Sequence, residues 1–206
     1  MSSELKTFVD FIIPTYNRCD QIGCILYSLI SQYDTDWSAQ VIIDDIENNK
    51  LVNTINNIND ARISYCFTGT RFNNWGHTPR EIGKQKSTSQ YIIMTGDDNY
   101  YAPVLVSELK KVAENNNYPP VIYWDMIHNY WDYSGRPSLL CEGSIDMGAF
   151  ATRRDLAQQI KLPTTYCADA EFIEILKDSL KKQQGENVYS EEKNFIHIQK
   201  TLFIHN

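Results

Sequence analysis

From Phe8 to Trp124, short apolar runs alternate with stretches of helical periodicity. Phe8-Val9-Asp10-Phe11-Ile12-Ile13 is rich in branched and aromatic side chains, too short for a helix and halted at Pro14, which predicts a buried strand. Ile22, Ile25, Leu26, Leu29 and Ile30 then recur at helical spacing and predict an amphipathic helix from Asp20 to Gln32. Val41-Ile42-Ile43, ending in Asp44-Asp45, predicts a second strand, Leu51 to Ile58 a weaker helix, and Ile63 to Phe67 a third strand. Thr78-Pro79-Arg80-Glu81 offers a capping residue, a proline for the first helical position and a glutamate placed to reach back, so a helix is expected from Pro79 to Ser87. Tyr91 to Met94 predicts a fourth strand, Pro103 to Glu114 a helix, and Val121 to Trp124 a fifth strand.

Beyond Trp124 the alternation stops. An aromatic segment (Tyr130, Trp131, Tyr133), a turn at Ser134-Gly135-Arg136-Pro137 and strand-like pieces around Leu139 and from Met147 to Phe150 predict small antiparallel additions. Helices are expected from Arg154 to Ile160 and from Asp169 to Lys182, with closing strands at Phe195 to Ile198 and Leu202 to Ile204. The pattern implies an α/β domain over 1–206: a mostly parallel central sheet between helical layers, with a nucleotide-type half (1–100) and an acceptor-type half (101–206).

Composition narrows the function. A length of 206 residues suits one domain, and 42% hydrophobic residues suffice for a real core. With 19 Lys plus Arg against 26 Asp plus Glu, the formal charge of -7 repels a polyanion, which argues against nucleic acid as a partner. No apolar run is long enough to form a transmembrane segment, and Met1 to Lys6 is not followed by a signal-type core, so a soluble cytoplasmic protein is expected. The five scattered cysteines contain no Cys-x-x-Cys pair and encode neither a disulfide framework nor a zinc site.

Polar groups follow three of the first four strands: Pro14-Thr15-Tyr16-Asn17-Arg18, Asp44-Asp45 and Gly96-Asp97-Asp98-Asn99. In a parallel sheet such ends converge on one rim, and adjacent carboxylates there call for a hard divalent cation shared with phosphate oxygen. The chain has neither Gly-x-Gly-x-x-Gly nor Gly-x-x-x-x-Gly-Lys-Ser/Thr, so phosphate must be met by Asp98-bound metal, by the helix begun near Thr78, or by His77 and Arg80. Spacing alone also allows plainer roles: Asp169 as a first-turn helix acid, Asp97-Asp98-Asn99 as a solvated turn, and Tyr123, Trp124, Tyr130, Trp131 and Tyr133 as packing rather than a sugar-stacking platform. His128 and His197 fit structural roles best.

Several segments in order resemble the inverting nucleotide-diphospho-sugar glycosyltransferases of family 2, with the GT-A fold. These are Val9 to Arg18, Ile43-Asp44-Asp45, Asn74-Trp75-Gly76-His77-Thr78-Pro79-Arg80, Tyr91 to Asn99, Asp146-Met147-Gly148, Ala168 to Phe172 and Leu202 to Asn206. The resemblance is to compact bacterial or phage-type members. It implies a donor nucleotide site at Pro14, Thr15, Tyr16, Arg18, Asp45, His77, Arg80 and Asp97, with Asp45 on the base and Asp97 on the ribose. It implies Mn2+ or Mg2+ at Asp98 with His205, and Asp169 as general base. Gly96 stands where the Asp-x-Asp pattern of the family has its first acid. The implied activity is metal-dependent transfer of a hexosyl group from a nucleotide-diphospho-sugar, a UDP-sugar by preference, to a glycan or glycolipid acceptor in polysaccharide biosynthesis. An inactive binding module and a sugar nucleotidyltransferase are the alternatives; the latter normally has a glycine-rich basic loop that Pro14 to Arg18 does not resemble.

Overall fold

The computed structural model describes residues 7–206. Met1 to Lys6, whose sequel was read as lacking a signal-type core, lie outside them. The elements run β1 (Val9–Thr15), α1 (Ile22–Ile30), β2 (Trp37–Ile43), α2 (Asn49–Ile58), β3 (Ile63–Phe67), α3 (His77–Lys86), β4 (Tyr91–Met94), β5 (Tyr100–Tyr101), α4 (Leu105–Asn115), β6 (Val121–His128), β7 (Ser134–Arg136), β8 (Phe150–Arg153), α5 (Arg154–Ala157), α6 (Ala168–Gln184), α7 (Glu191–Asn194) and β9 (Phe195–His205). Short 3-10 turns occupy Asn129–Trp131 and Met147–Ala149.

One sheet has the order β3-β2-β1-β4-β8-β6-β9-β5, with β7 paired to β6. The β3, β2, β1 and β4 strands are parallel, β8 runs against both β4 and β6, and β6 and β9 are parallel again. All seven residues of β1 are buried, as expected of a strand covered on both faces. The strand runs through Pro14 rather than stopping there. Thr95 N–H donates to the Ile12 carbonyl and Asp44 N–H to that of Thr15, so by alternation Pro14 lacks its donor on the β4 side, where β4 has already ended.

Other boundaries shift for similar reasons. Helix α3 begins at His77, not Pro79, and Thr78 lies inside it; Gly76, at φ 79°, precedes the helix and no side chain caps it. A Cβ at Gly76 would meet Pro14 at 2.8 Å, so the residue allows both the left-handed turn and the contact with β1. Glu81 does not reach back to a cap; it pairs with Lys84 at 2.7 Å. The turn expected at Ser134 to Pro137 contains strand β7, no strand forms at Leu139, and the helix at Arg154 is short because the chain leaves it after Ala157. The two closing strands are one strand with a register irregularity opposite Trp124, Asp125 and Met126.

Helix α3 packs on β1, β2 and β4. Its Gly83 lies so close to the sheet that a Cβ there would stand 2.4 Å from Ile12 Cγ2. Gly83→Ala should therefore lower unfolding stability in denaturant titrations by about 1–3 kcal/mol, overpacking outweighing the gain in helix propensity. An unchanged midpoint would show that α3 can lift off the sheet freely.

Candidate active site

Because β1, β2, β4, β6 and β9 share a direction, their carboxyl ends form one rim carrying Thr15, Asp44, Asp97, His128 and His205. Two adjoining cavities open there, of about 680 and 370 Å³, sharing Trp75, Arg80, Tyr130, Asp146, Met147 and His205. The larger is lined further by Pro14, Thr15, Tyr16, Arg18, Asp44, Arg71, Asp97 and Asp98; the smaller by His77, His128, Trp131, Glu142, Tyr166, Cys167 and Asp169.

In the larger cleft Thr15 Oγ1 donates to Asp97 Oδ2 at 2.6 Å. Burial raises the Asp97 carboxyl above the usual carboxylate value, against the opposing pull of Thr15 and Arg18. The Arg18 guanidinium donates to Asp98 and lies 3.8 Å from Asp97. Arg71 stacks over the Tyr16 ring, 3.6 Å from its centroid. Asp44 accepts the amides of Phe72 and Asn73 at 2.9 and 3.0 Å, tying down the loop that carries Arg71. Asp45, expected to face the base, does not line the cleft; its carboxylate accepts the amide of Ile46 at 2.8 Å, and the acid along the wall is Asp44. At Gly96 an added Cβ would sit 3.0 Å from the Asn99 amide and 3.2 Å from Asp98 Oδ1, so the loop as folded has little room for a longer side chain there.

Arg80 joins the two cavities. Its Nε and Nη2 donate to the Thr95 carbonyl at 3.2 and 3.1 Å and its Nη1 to that of Trp75 at 2.8 Å, leaving the charge facing Asp146, Asp97 and Asp169. His77 is buried on the side of the smaller cavity, not the larger one, and burial together with the neighbouring Arg80 lowers its pKa. Asp169, at the start of α6, holds the Ala170 amide at 2.8 Å; burial and then the negative charge of Asp146 push its carboxyl up to about 6, the Ala170 amide and Arg80 acting in the opposite sense.

The sequence suggests a structural role for His128 and none in the site for Asp146; the pairing of β6 with β9 brings His128 to His205, and the 3-10 turn at Met147 brings Asp146 there. His128 and His205 are register partners at the ends of those strands, and their rings stack at 4.1 Å and 4°. His128, Asp146 and His205 offer ligand atoms within 4.8 Å of one another. The hydrogen bonds distinguish the two rings. His128 Nδ1 accepts the Tyr130 amide, so the neutral ring carries its proton on Nε2. His205 Nδ1 lies 3.3 Å from the Asn129 side-chain oxygen, which places the proton on Nδ1 and leaves the Nε2 lone pair 3.5 Å from Asp146 Oδ2. His128, Asp146 and His205 are thus the group that could hold a divalent cation, while Asp98 lines the same cleft as Asp146 and His205 and is paired with Arg18.

The aromatic cluster of β6 and the turn after it divides: Trp124 is fully buried, Tyr123 stacks on His197 at 4.5 Å, and Tyr130 reaches the cavities. His197 pairs with Asp125 at 2.7 Å in a structural role.

A family model described as "Glycosyl transferase family 2" matches residues 10–140. The chain belongs to glycosyltransferase family 2. An uncharacterised glycosyltransferase of Mycoplasma genitalium is 36% identical over 113 residues, covering 52% of this chain and 36% of that protein. One from Haemophilus influenzae is 23% identical over 137 residues, covering 63% and 44%. The chain therefore spans less than half the length of these relatives. Staphylococcus aureus TarS 1-349 in complex with UDP superposes with a TM-score of 0.74 at 16% identity, over 96% of this chain and 60% of that one; the complex with UDP-GlcNAc gives 0.73 at 14%, over 96% and 58%. The fold is of the GT-A type. No helix among the described residues is long and apolar enough to cross a membrane.

The site's two sides are tied together beneath the surface. Lys84, fully buried on α3, donates to the Ile160 carbonyl and to Glu81, while Glu81 accepts the Leu162 amide at 3.0 Å. Lys84→Ala should cost about 3–5 kcal/mol in denaturant unfolding, because Glu81 loses its partner, and replacing both residues by apolar ones should recover part of that. Equal loss in the single and double variants would show that the pair's charge is immaterial.

Proposed function

We propose that this family 2 chain is an inverting, metal-dependent glycosyltransferase that moves a hexosyl group from a UDP-sugar to a hydroxyl of a glycan or glycolipid. The observation that carries the reading is the junction of an arginine-lined cleft with a cavity holding a carboxyl raised to about 6, both facing Arg80 and Asp146. The UDP and UDP-GlcNAc complexes of TarS support the donor class.

Tyr16 and Arg71 flank the nucleobase, the loop that Asp44 ties down lies along its edge, and Asp97, aligned by Thr15, accepts from the ribose. Arg18 and Arg80 meet the diphosphate, whose negative charge grows as the anomeric bond breaks. A divalent ion held by Asp98, Asp146 and His205 would supply further charge neutralisation of that leaving group. Across the junction, Asp169 takes the proton of the acceptor hydroxyl as its oxygen attacks the anomeric carbon from the face opposite the departing UDP. A carboxylate whose conjugate acid sits near 6 is a stronger base than an exposed aspartate and is still mostly ionised at neutral pH.

Three outcomes follow for UDP-sugar turnover and UDP thermal shifts. Turnover should be flat above pH 6 and fall roughly tenfold for each pH unit below it, as protonation of Asp169 removes the base. Asp169→Asn should reduce turnover by about a hundredfold or more while keeping the UDP-induced shift; retained turnover would remove Asp169 from the chemistry. Asp98→Ala and His205→Ala should each weaken the manganese-dependent part of the UDP shift, and a shift indifferent to manganese in the parent chain would end the metal assignment.

A further inference from the structure

We infer that the acceptor is an uncharged pyranose, held by stacking between aromatic rings at the mouth of the Asp169 cavity. This inference deepens the transferase reading above and is tested separately from it.

Three large rings line that cavity while remaining mostly open to solvent: Trp75 is 69% exposed, Tyr130 73% and Tyr166 73%. They come from three separate segments: the loop before α3, the 3-10 turn after β6 and the loop before α6. Trp75 adopts a φ of 53°, a left-handed conformation unfavourable for a bulky residue, and its carbonyl is held by Arg80. The fold thus fixes the backbone beneath an indole that nothing covers. Tyr130 and Tyr166 approach each other through their hydroxyls, and that contact raises the Tyr166 phenol.

An exposed ring wall beside a base suits a ligand that has both apolar faces and hydroxyl edges. A pyranose presents axial C–H groups, slightly positive, to the negative face of an aromatic ring while its equatorial hydroxyls project sideways. One such hydroxyl can then point at Asp169. A linear polyol has no flat C–H face to offer.

Charge sets the second condition. Glu142 and Asp169 line the cavity, Asp146 stands at the junction where a cation would neutralise it, and the charge of Arg80 is shared with the donor cleft. His77 is lowered in pKa by burial and adds no positive charge at neutral pH. An acceptor carrying phosphate or carboxylate near its reacting hydroxyl would face this acidic wall unpaired. Arg18 and Arg71 lie in the donor cleft, and Arg136 is held over the Trp131 ring, 4.7 Å from its centroid.

The test uses the full chain with UDP and manganese, with saturation-transfer NMR of neutral methyl pyranosides and disaccharides beside glucuronate, glucose 6-phosphate and glycerol 3-phosphate. The expected result is saturation transfer to neutral pyranosides, strongest on the C–H protons of one ring face, with the charged probes at least tenfold weaker. Tyr166→Ala and Trp75→Ala, confirmed as folded by their unfolding midpoints, should each weaken pyranoside binding by roughly three- to tenfold, with Tyr166→Phe restoring it. Binding of the charged probes as tight as that of the neutral ones overturns the inference. So does an absence of transfer to every neutral pyranoside in a chain that shows a UDP thermal shift. If UDP gives no shift, the donor reading fails by itself, and face-selective pyranoside binding lost in the aromatic variants still upholds this one.

Discussion

Helix α3 lies against the sheet at Gly83 with no space for one more methyl group, and the geometry of the cleft is measured from that contact. The helix carries His77, Arg80, Glu81 and Lys84 on successive turns, so the depth at which it packs sets the position of each. Above the sheet, Arg80 is locked to the carbonyls of Trp75 and Thr95 and faces both cavities. Below, Lys84 and Glu81 hold the Ile160 to Leu162 segment that leads into α6 and Asp169. A buried ammonium is costly to desolvate, and burial pulls its pKa down; its partners Glu81 and the Ile160 carbonyl offset that cost and bind two distant pieces of chain to one helix. The two cavities are therefore tied to one helix.

The charges are distributed to match. Arg18, Arg71 and Arg80 line the cleft in which a nucleoside diphosphate would bring negative charge, while the cavity beyond is acidic. Asp169 owes its raised pKa first to burial and then to the negative charge of Asp146. Arg80 opposes that effect and keeps Asp169 from rising further. These influences depend on groups from α3, the Asp146 turn and α6 lining one cavity, and none is a property of one segment.

Much of the fold was legible along the chain. The β4 strand lies at the residues that its apolar run predicted, because a strand buried on both faces is written as unbroken branched and aromatic residues; β3 also lies where its run predicted, although as the edge strand it is partly exposed. The ends of α3 were misjudged because Thr78 and Pro79 have the chemistry of a helix start, whereas the close approach of Gly76 to Pro14 decided it. Strand β5 is two residues long and exists by pairing with β9, so no periodicity could announce it. Thr15, Tyr16, Arg18, Arg80, Asp97, Asp98, Asp169 and His205 line the paired cavities, and the positions of Thr15, Tyr16, Arg18, Asp97 and Asp98 were legible from the strand ends. That Asp44 and not Asp45 lines the cleft came from which way a turn faces, a matter of one residue.

By itself the sequence determined the alternation of strands and helices, the acids at the strand ends and the family to which they belong, because these are local patterns of burial and chemistry. Tertiary structure decided what lay far apart in the chain. Parallel pairing of β6 with β9 stacked His128 on His205, the 3-10 turn at Met147 brought Asp146 to them, and three loops set Trp75, Tyr130 and Tyr166 around one opening. Long-range pairing and loop direction carry no periodic signature, since they arise when separate segments bury surface against each other; the proposed chemistry of this protein depends on those contacts.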